Sequence, residues 1–524
     1  MKDYLKKEVN YYKKKWTGKV PIALVFPNYY SVGMSNLGFL KIYESLNHYE
    51  EIVCERFFLP QGEKLRSIES ERPLRDFNLI LFSISFEVDY LNVVKIIKLG
   101  GLPLDPKKRK EIILAGGVAT WSNPEPLADI VDGFILGEWE ALEKEVVPLF
   151  LSYFNHKKKL LSFLSEKNFF YNPREASQEI KVLKTKKLTS PLFSTLISSE
   201  AEFTNTYLIE VSKGCGKNCR FCLAGFIYRP PRKFSWESLN KVLEKIPLKA
   251  KVGLIGLEFV DNEEILKLGQ ELLKKEVVLT FSSLRIDALK DEFLELLKNT
   301  QSVALAPETG SSKLKKVINK NLEEEQILEA INKLQKYLKK LKLYFMVNLP
   351  LEEERDLWET ISFIERILKY KFKLQFTFSF SFFVPKPHTP FQWMEFPTIE
   401  NLKHKEKFLR KNLSSVKGVK IESPKEAFLQ AILSRGNRNL KSFILALTEK
   451  KGLSQIGKKD FIEPNILKPY EKLEYPFPWD KIKVGIKKEY LWREWQRAKA
   501  LEPSPFCQLG HCNSCSACNS LEEV

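Results

Sequence analysis

Seven of the eight cysteines in the chain fall into two tight groups. Cys215, Cys219 and Cys222 are spaced x3 and x2 within IEVSKGCGKNCRFCLAGFIYRPPR, and Cys507, Cys512, Cys515 and Cys518 are spaced x4, x2 and x2 near the end. Cys54 stands alone. Grouping of this kind reads as metal ligation rather than disulfide pairing. Three thiolates from one loop can hold three irons of a cubane [4Fe–4S] cluster and leave the fourth iron open to a substrate ligand. Structural zinc wants four protein ligands, and the first loop offers no fourth Cys or His. The terminal group does supply four thiolates, which suits a second, closed [4Fe–4S] cluster or a four-cysteine zinc site. His511 lies among them and is read as a spectator.

Ligands on loops need elements to hold them. PIALVFP (21–27), FNLILFSIS (77–85) and EIILAGG (111–117) are apolar strand patterns, each followed by turn residues and a helical pattern, and DGFILGEWEALEKEV closes the series. Such alternation predicts an α/β fold with a doubly wound, flavodoxin-like parallel sheet over 1–150. The Lys- and Ser-rich stretch 151–204 reads as a connector. Six further strands, beginning with TYLIEVS (206–212), VGLIGLEF (252–259) and VVLTFSS (277–283), alternate with amphipathic stretches. They predict a partial (β/α)6 barrel over 205–395, with its chemistry at the carboxyl ends of the strands. Residues 396–502 read as mainly helical. The tail 503–524 is too short for its own core and would take its shape from a metal.

Composition bounds the setting. A chain of 524 residues exceeds one hydrophobic core, and 44% hydrophobic with 29% charged residues is the balance of a soluble globular protein. No uninterrupted apolar run is long enough to span a membrane. The basic start, MKDYLKKEVNYYKKKW, has no apolar segment behind it, so a signal peptide is not expected and the cytoplasm is the default. Net charge is +18, which suits either an RNA partner or a Lys-rich surface of the thermophile type. Lysines spread along the whole chain favour the second.

The Cys-x3-Cys-x2-Cys spacing, with Phe221 before the last cysteine and the first barrel strand before the loop, resembles the motif of the radical S-adenosylmethionine (SAM) superfamily. The resemblance implies that SAM chelates the open iron and is cleaved to a 5′-deoxyadenosyl radical, with a reductant such as ferredoxin or flavodoxin as partner. It further implies SAM-pocket roles for Gly253 and Glu258 on strand two, Ser283 and Arg285 after strand three, and Glu308, Gly310 and Ser311 after strand four. The alternative for Glu308 is a cap on the helix beginning near Ser311. In VNLPLEEE, Leu351 stands where the family usually has Gly.

The first domain together with the barrel resembles the cobalamin-binding branch of that superfamily. The matching segment is AGGVATWSNPEPLADIVDGFILGEWE, in which Gly116 and Gly117 would let a flat macrocycle approach the backbone. It departs from the cobalt-ligating Asp-x-His-x-x-Gly pattern. The loop NYYSVGMSNLG has no His, and only His48 and His156 precede residue 200. Cobalamin is therefore expected base-off, or the domain is an empty scaffold. Over nearly the whole chain the resemblance is to an uncharacterised subfamily, through FVPKPHTPFQW (383–393), AFLQAILSRGNRNL (427–440) and the cysteine-rich tail. His388 in the first of these is a candidate catalytic residue or a plain loop histidine. The leading reading is a radical SAM enzyme that abstracts hydrogen, with methyl transfer if cobalamin binds. The alternatives are an RNA methylthiotransferase-like enzyme, whose relatives carry three cluster cysteines in the first domain, and a non-enzymatic RNA-binding iron–sulfur protein.

Overall fold

Short runs of Val, Ile, Leu and Phe form the first sheet. In the computed structural model, which describes residues 4–175, 179–257, 262–281, 283–451, 466–507, 512 and 514–522, these are β1 (Val20–Phe26), β2 (Ile52–Phe58), β3 (Leu79–Ser83), β4 (Ile112–Gly116), β5 (Gly133–Ile135) and β6 (Phe170–Tyr171). They lie in the order β2-β1-β3-β4-β5-β6, the first five parallel and β6 antiparallel at the edge. Leaving the last strand aside, this is the flavodoxin-like order.

The stretch read as a connector does more than connect. It supplies β6, the helix Lys157–Ser165 and a two-residue strand, Ile180–Lys181, that pairs with Ile482–Lys483. Strands of two residues carry no periodicity, so the sequence pattern hides them.

The barrel strands are β7 (Thr206–Glu210), β8 (Lys251–Ile255), β9 (Val278–Phe281), β10 (Ser302–Glu308), β11 (Lys340–Val347) and β12 (Gln375–Phe382). β7-β8-β9 form one parallel sheet and β10-β11-β12 another, joined by the isolated Leu284–Leu305 bridge. A seventh parallel strand, β13 (Val419–Ile421), adds to β12 from the region read as helical. The helices Ile399–Asn412, Pro424–Arg435 and Lys488–Lys499 account for the helical pattern there. No helix among the described residues is long and apolar enough to cross a membrane.

The segments most distinctive in sequence form the joint between the first domain and the rest. From FVPKPHTPFQW, Lys386 pairs with buried Glu87 at 2.9 Å. From SRGNRNL, the carbonyls of Ser434 and Gly436 accept from Asn123 Nδ2 at 3.0 and 2.7 Å, and Arg438 meets Glu125 at 3.1 Å. Glu125 also holds Lys481 at 2.9 Å and accepts from the Tyr171 hydroxyl. Buried polar groups persist only when partnered, so each of these segments presupposes the other domain. Asn123→Ala, which leaves two buried carbonyls without donors, should cost about 2 kcal/mol. Urea denaturation measures it, and an unchanged midpoint would argue against this account of the joint.

Candidate metal centre and adjoining cavity

The cysteine loop is a closed excursion. Ser212–Lys213 pairs antiparallel with Arg232–Lys233, so residues 214–231 leave and return through one stem. Gly214 makes the exit at φ +73°, where a Cβ would stand 2.6 Å from the Tyr228 carbonyl. Cys222 caps the helix Leu223–Ile227, its Sγ accepting the Gly225 N–H at 3.3 Å, and its own N–H donates to Cys219 O at 3.1 Å. Burial first, then the Cys219 thiol, pushes Cys222 up to about 11. A thiol reluctant to ionise by itself becomes a thiolate when a metal supplies positive charge. Three half-buried soft donors in one loop fit an iron–sulfur cluster. Among the described residues no three Cys, His, Asp or Glu side chains converge on a single-ion point. A cubane, with one iron for each thiolate, does not require that.

Two buried arginines support the loop from below. Arg220 pairs with Glu494 at 3.2 Å and donates to the carbonyls of Lys316, Val317 and Glu502 and to Ser504 Oγ. Arg229 donates to Gly225 O, to the Tyr490 hydroxyl and to Asn218 Oδ1. The tail docks on the same loop, since Cys507 N–H donates to Gly216 O at 2.7 Å and Asn218 Nδ2 to Pro505 O at 2.9 Å. Burial raises the Cys507 thiol, Arg229 opposes it, and Cys515, Cys518 and Cys512 add to the rise, so the other three tail thiols lie within electrostatic reach of Cys507. His511 lies outside the described residues.

Of the SAM-pocket candidates, two come close to the cysteines. Arg285 forms an ion pair with Asp287 at 2.7 Å and its charge is felt by Cys219 and Cys215. Glu308, buried at φ +68°, pairs with Lys320 at 2.7 Å and lies within electrostatic reach of Cys222. Arg285 and Lys320 share a polar pocket of about 240 Å³ with Lys217, Asn319 and Phe506. Nothing in the spacing of Lys320 or Asn319 announces this.

The other candidates are placed differently. Phe221 packs against the apolar cluster that includes Leu314, Ile318 and Phe391. Gly253 is buried within β8, between Leu208 and Thr280 of the neighbouring strands. Gly256, which the sequence reading passed over, stands beyond the end of β8 against Ser212 in the loop stem. Glu258 lies outside the described residues, and Ser283 is exposed. Ser311, not Glu308, caps the helix Ser312–Val317, and its hydroxyl donates to Asp356 at 2.6 Å. Gly310 rests on the backbone of Thr360 and Glu359. Leu351 holds the left-handed turn at φ +61° that the usual Gly would adopt, with its side chain exposed.

A cavity of about 450 Å³ lies where the first sheet meets the barrel. Ser83, Gly116 and Gly117 line it from the carboxyl ends of β3 and β4, Trp121 and Trp139 from the helices Val118–Ser122 and Trp139–Tyr153 that follow β4 and β5, and Glu210, Lys213 and Tyr228 from the barrel side. Gly117 has φ +100°, and a Cβ there would stand 2.4 Å from Ile84 O. The close approach that demands glycine is therefore the neighbouring backbone, not a ligand. Gly116 likewise faces Ile135 O at 3.0 Å. His388 lines neither cavity. Its ring is buried beside the backbone of Trp121 and Ser122, Nε2 has no hydrogen bond, and burial pushes it down to about 3, so it is held neutral. His48 bonds to the Tyr12 hydroxyl at 3.3 Å, away from the cavity.

The GEWE segment grips both strands of the loop stem. Glu138 takes Arg232 at 2.6 and 2.8 Å, and Glu140 takes Lys213 at 2.8 Å. Burial alone would raise the Glu138 carboxyl, but Lys213 and Arg232 hold it down at about 2. A depressed carboxyl stabilises the fold above its unfolded range, near 4.5, and loses that contribution as pH falls towards 2. Glu138→Gln, which strands Arg232 in the interior, should cost about 3–5 kcal/mol at pH 7. The gap between wild type and variant should close between pH 4.5 and 2, as followed by denaturant titration. A gap independent of pH would contradict the pairing.

A family model described as the radical SAM superfamily matches residues 209–364, and one described as radical SAM proteins, N-terminal, matches residues 38–173. The chain is 30% identical over 459 residues to an uncharacterised protein of Methanocaldococcus jannaschii, covering 86% of this chain and 96% of that one. It is 24% identical over 376 residues to a provisionally named methylthiotransferase of the same organism, covering 67% and 76%. A solved structure of the cobalamin-dependent SAM radical enzyme OxsB, with aqua-cobalamin and SAM bound, is similar with TM-score 0.43 at 17% identity. That similarity covers 66% of this chain, which spans about half, 52%, of the OxsB chain.

Proposed function

Because the chain belongs to the radical SAM superfamily, we propose that it is an enzyme whose Cys215, Cys219 and Cys222 hold a [4Fe–4S] cluster that presents its open iron to SAM. Such a cluster supplies the electron that parts SAM into methionine and a 5′-deoxyadenosyl radical, which abstracts hydrogen from the substrate. One observation carries the reading. Lys213, two residues before Cys215, lines the 450 Å³ cavity, so the loop stem and a largely apolar chamber share a wall.

The chain's own residues have definable work there. Gly225 N–H orients the Cys222 sulfur, and Arg285 and Lys320 offer cations to the carboxylate of a ligand beside the loop. Leu81, Leu114, Trp121, Trp139 and Ile255 keep water from the chamber, which protects a reactive radical from side reactions. Cys54 is buried in β2 and leaves the first domain without cluster ligands among the described residues, which favours simple abstraction over methylthiolation. The tail cysteines hold a second [4Fe–4S] cluster in this reading, and a low-potential donor of the ferredoxin or flavodoxin type supplies electrons.

Anaerobically reconstituted protein should carry about eight irons, four for each cubane. Replacing Cys215, Cys219 and Cys222 by Ala should remove about half of them and all formation of 5′-deoxyadenosine. Continued SAM cleavage by that triple variant would refute the reading. Replacing the four tail cysteines should remove the other half, whereas zinc with about four irons in the wild type would reject a second cluster.

A second reading is favoured by where the chamber lies. A doubly wound sheet binds ligands outside the carboxyl ends of its strands, and the walls there are small or flat, as a corrin would need. Among the described residues no histidine lines the chamber, so they fit a cobalamin only with the lower base displaced. Hydroxocobalamin added to the protein should give the base-off optical spectrum, unchanged by His48→Ala. A protein that neither retains nor takes up cobalamin would exclude cobalamin-dependent methyl transfer.

A further inference from the structure

The chamber carries five charged groups on its wall among the described residues, Lys41, Glu138, Glu140, Glu210 and Lys213. Two of the three carboxylates are closely paired. Glu138 receives both terminal nitrogens of Arg232 and the Thr185 N–H, and Glu140 holds Lys213 Nζ at 2.8 Å. Glu210 meets the same Nζ only at 3.5 Å, through Oε2, which is buried and accepts no hydrogen bond. Its other oxygen accepts none among the described residues, and 18% of the side chain stays exposed on the chamber wall. Three carboxylates thus face two cations, Arg232 and Lys213, and Glu210 is the one left over.

A carboxylate shielded from most of its water and short of donors is costly, and a ligand that brings an N–H donor offsets that cost. β7 holds Glu210 rigidly, since its backbone N–H donates to Leu192 O and it pairs in register with Ile255. It also sits on the barrel side of the chamber, five residues before Cys215. Lys41, on the helix Leu37–His48 of the first domain, is the remaining charged lining group and has no ion-pair partner among the described residues. It would serve an anion, so the two groups make opposite demands that an experiment can separate.

We infer that Glu210 anchors the ligand of the inter-domain chamber, and that this ligand carries a cationic amine on an otherwise apolar body. The inference rests on reading the chamber as the enzyme's ligand site. It is tested on the full-length, anaerobically reconstituted protein by calorimetry with three isosteric probes, cyclohexylmethylamine, cyclohexylmethanol and cyclohexanecarboxylate. The amine should bind about tenfold more tightly than the alcohol or the acid, the margin of one charge-assisted hydrogen bond. Glu210→Gln should erase that preference while leaving the alcohol's affinity unchanged, and Glu210→Asp should keep it. S-adenosylhomocysteine should bind wild type and Glu210→Gln equally.

Equal binding of all three probes by the wild type, or an amine preference that survives in Glu210→Gln, would overturn the inference while sparing the chamber as a ligand site. Tightest binding by the acid would do the same and move the anchor to Lys41. Weaker S-adenosylhomocysteine binding by Glu210→Gln would also overturn it, because Glu210 would then belong to the SAM site. Failure of every probe to bind would instead remove the chamber reading on which the inference stands.

Discussion

The cysteine loop depends on buried charge being paired. Residues 214–231 contain one short helix and otherwise irregular backbone, so the loop's own hydrogen bonds cannot hold its shape. Four ionic groups do so instead. Glu138 and Glu140 hold the two strands of the stem from the first domain, while the loop's own Arg220 and Arg229 tie it to the barrel and the carboxyl-terminal helix. Each group is costly to bury unless its partner is in place. The loop therefore takes its shape only when the first domain, the barrel and the tail are all assembled around it.

That dependence explains why the most distinctive stretches of the chain lie away from the cysteines. Lys386, Asn123, Glu125 and Arg438 touch neither cavity, yet they fix how the first domain sits on the barrel. Because Glu138 and Glu140 reach the loop stem from that domain, the angle of the joint sets the position of the stem. A displacement at the joint would be felt at Cys215 through Lys213, two residues away, without any change in the cysteines themselves.

The chamber follows from the same assembly. The first sheet leaves the carboxyl ends of β3 and β4 uncovered, as doubly wound sheets do, and the barrel closes over them with Glu210, Tyr228 and Ile255. A largely apolar space beside the cysteine loop suits chemistry that water would quench. Glu210, the one carboxylate on its wall without a hydrogen bond among the described residues, gives the space a polarity. The small residues at its floor have a separate cause, because Gly116 and Gly117 are held small by the backbones of Ile135 and Ile84.

The chain's local order was legible in its sequence because it rests on neighbours. Cys215, Cys219 and Cys222 sit within one turn-rich loop, so their spacing alone indicated a cluster with an open position. Most strands of the first sheet and the barrel announced themselves as apolar runs of strand length, but β2, interrupted by Glu55 and Arg56, did not. Only the folded chain decided what depends on residues far apart. It set Glu138 against Arg232 and Cys507 against Gly216, and buried the loop residue His388 beside the backbone of Trp121. It hid β6 and β13 from the pattern, since strands of two or three residues take their stability from the partner strand. Periodicity and spacing record what a residue needs from its near neighbours. Pairing of buried charge and closure of a cavity are set by contacts between distant parts of the chain, and those exist only once the domains have met.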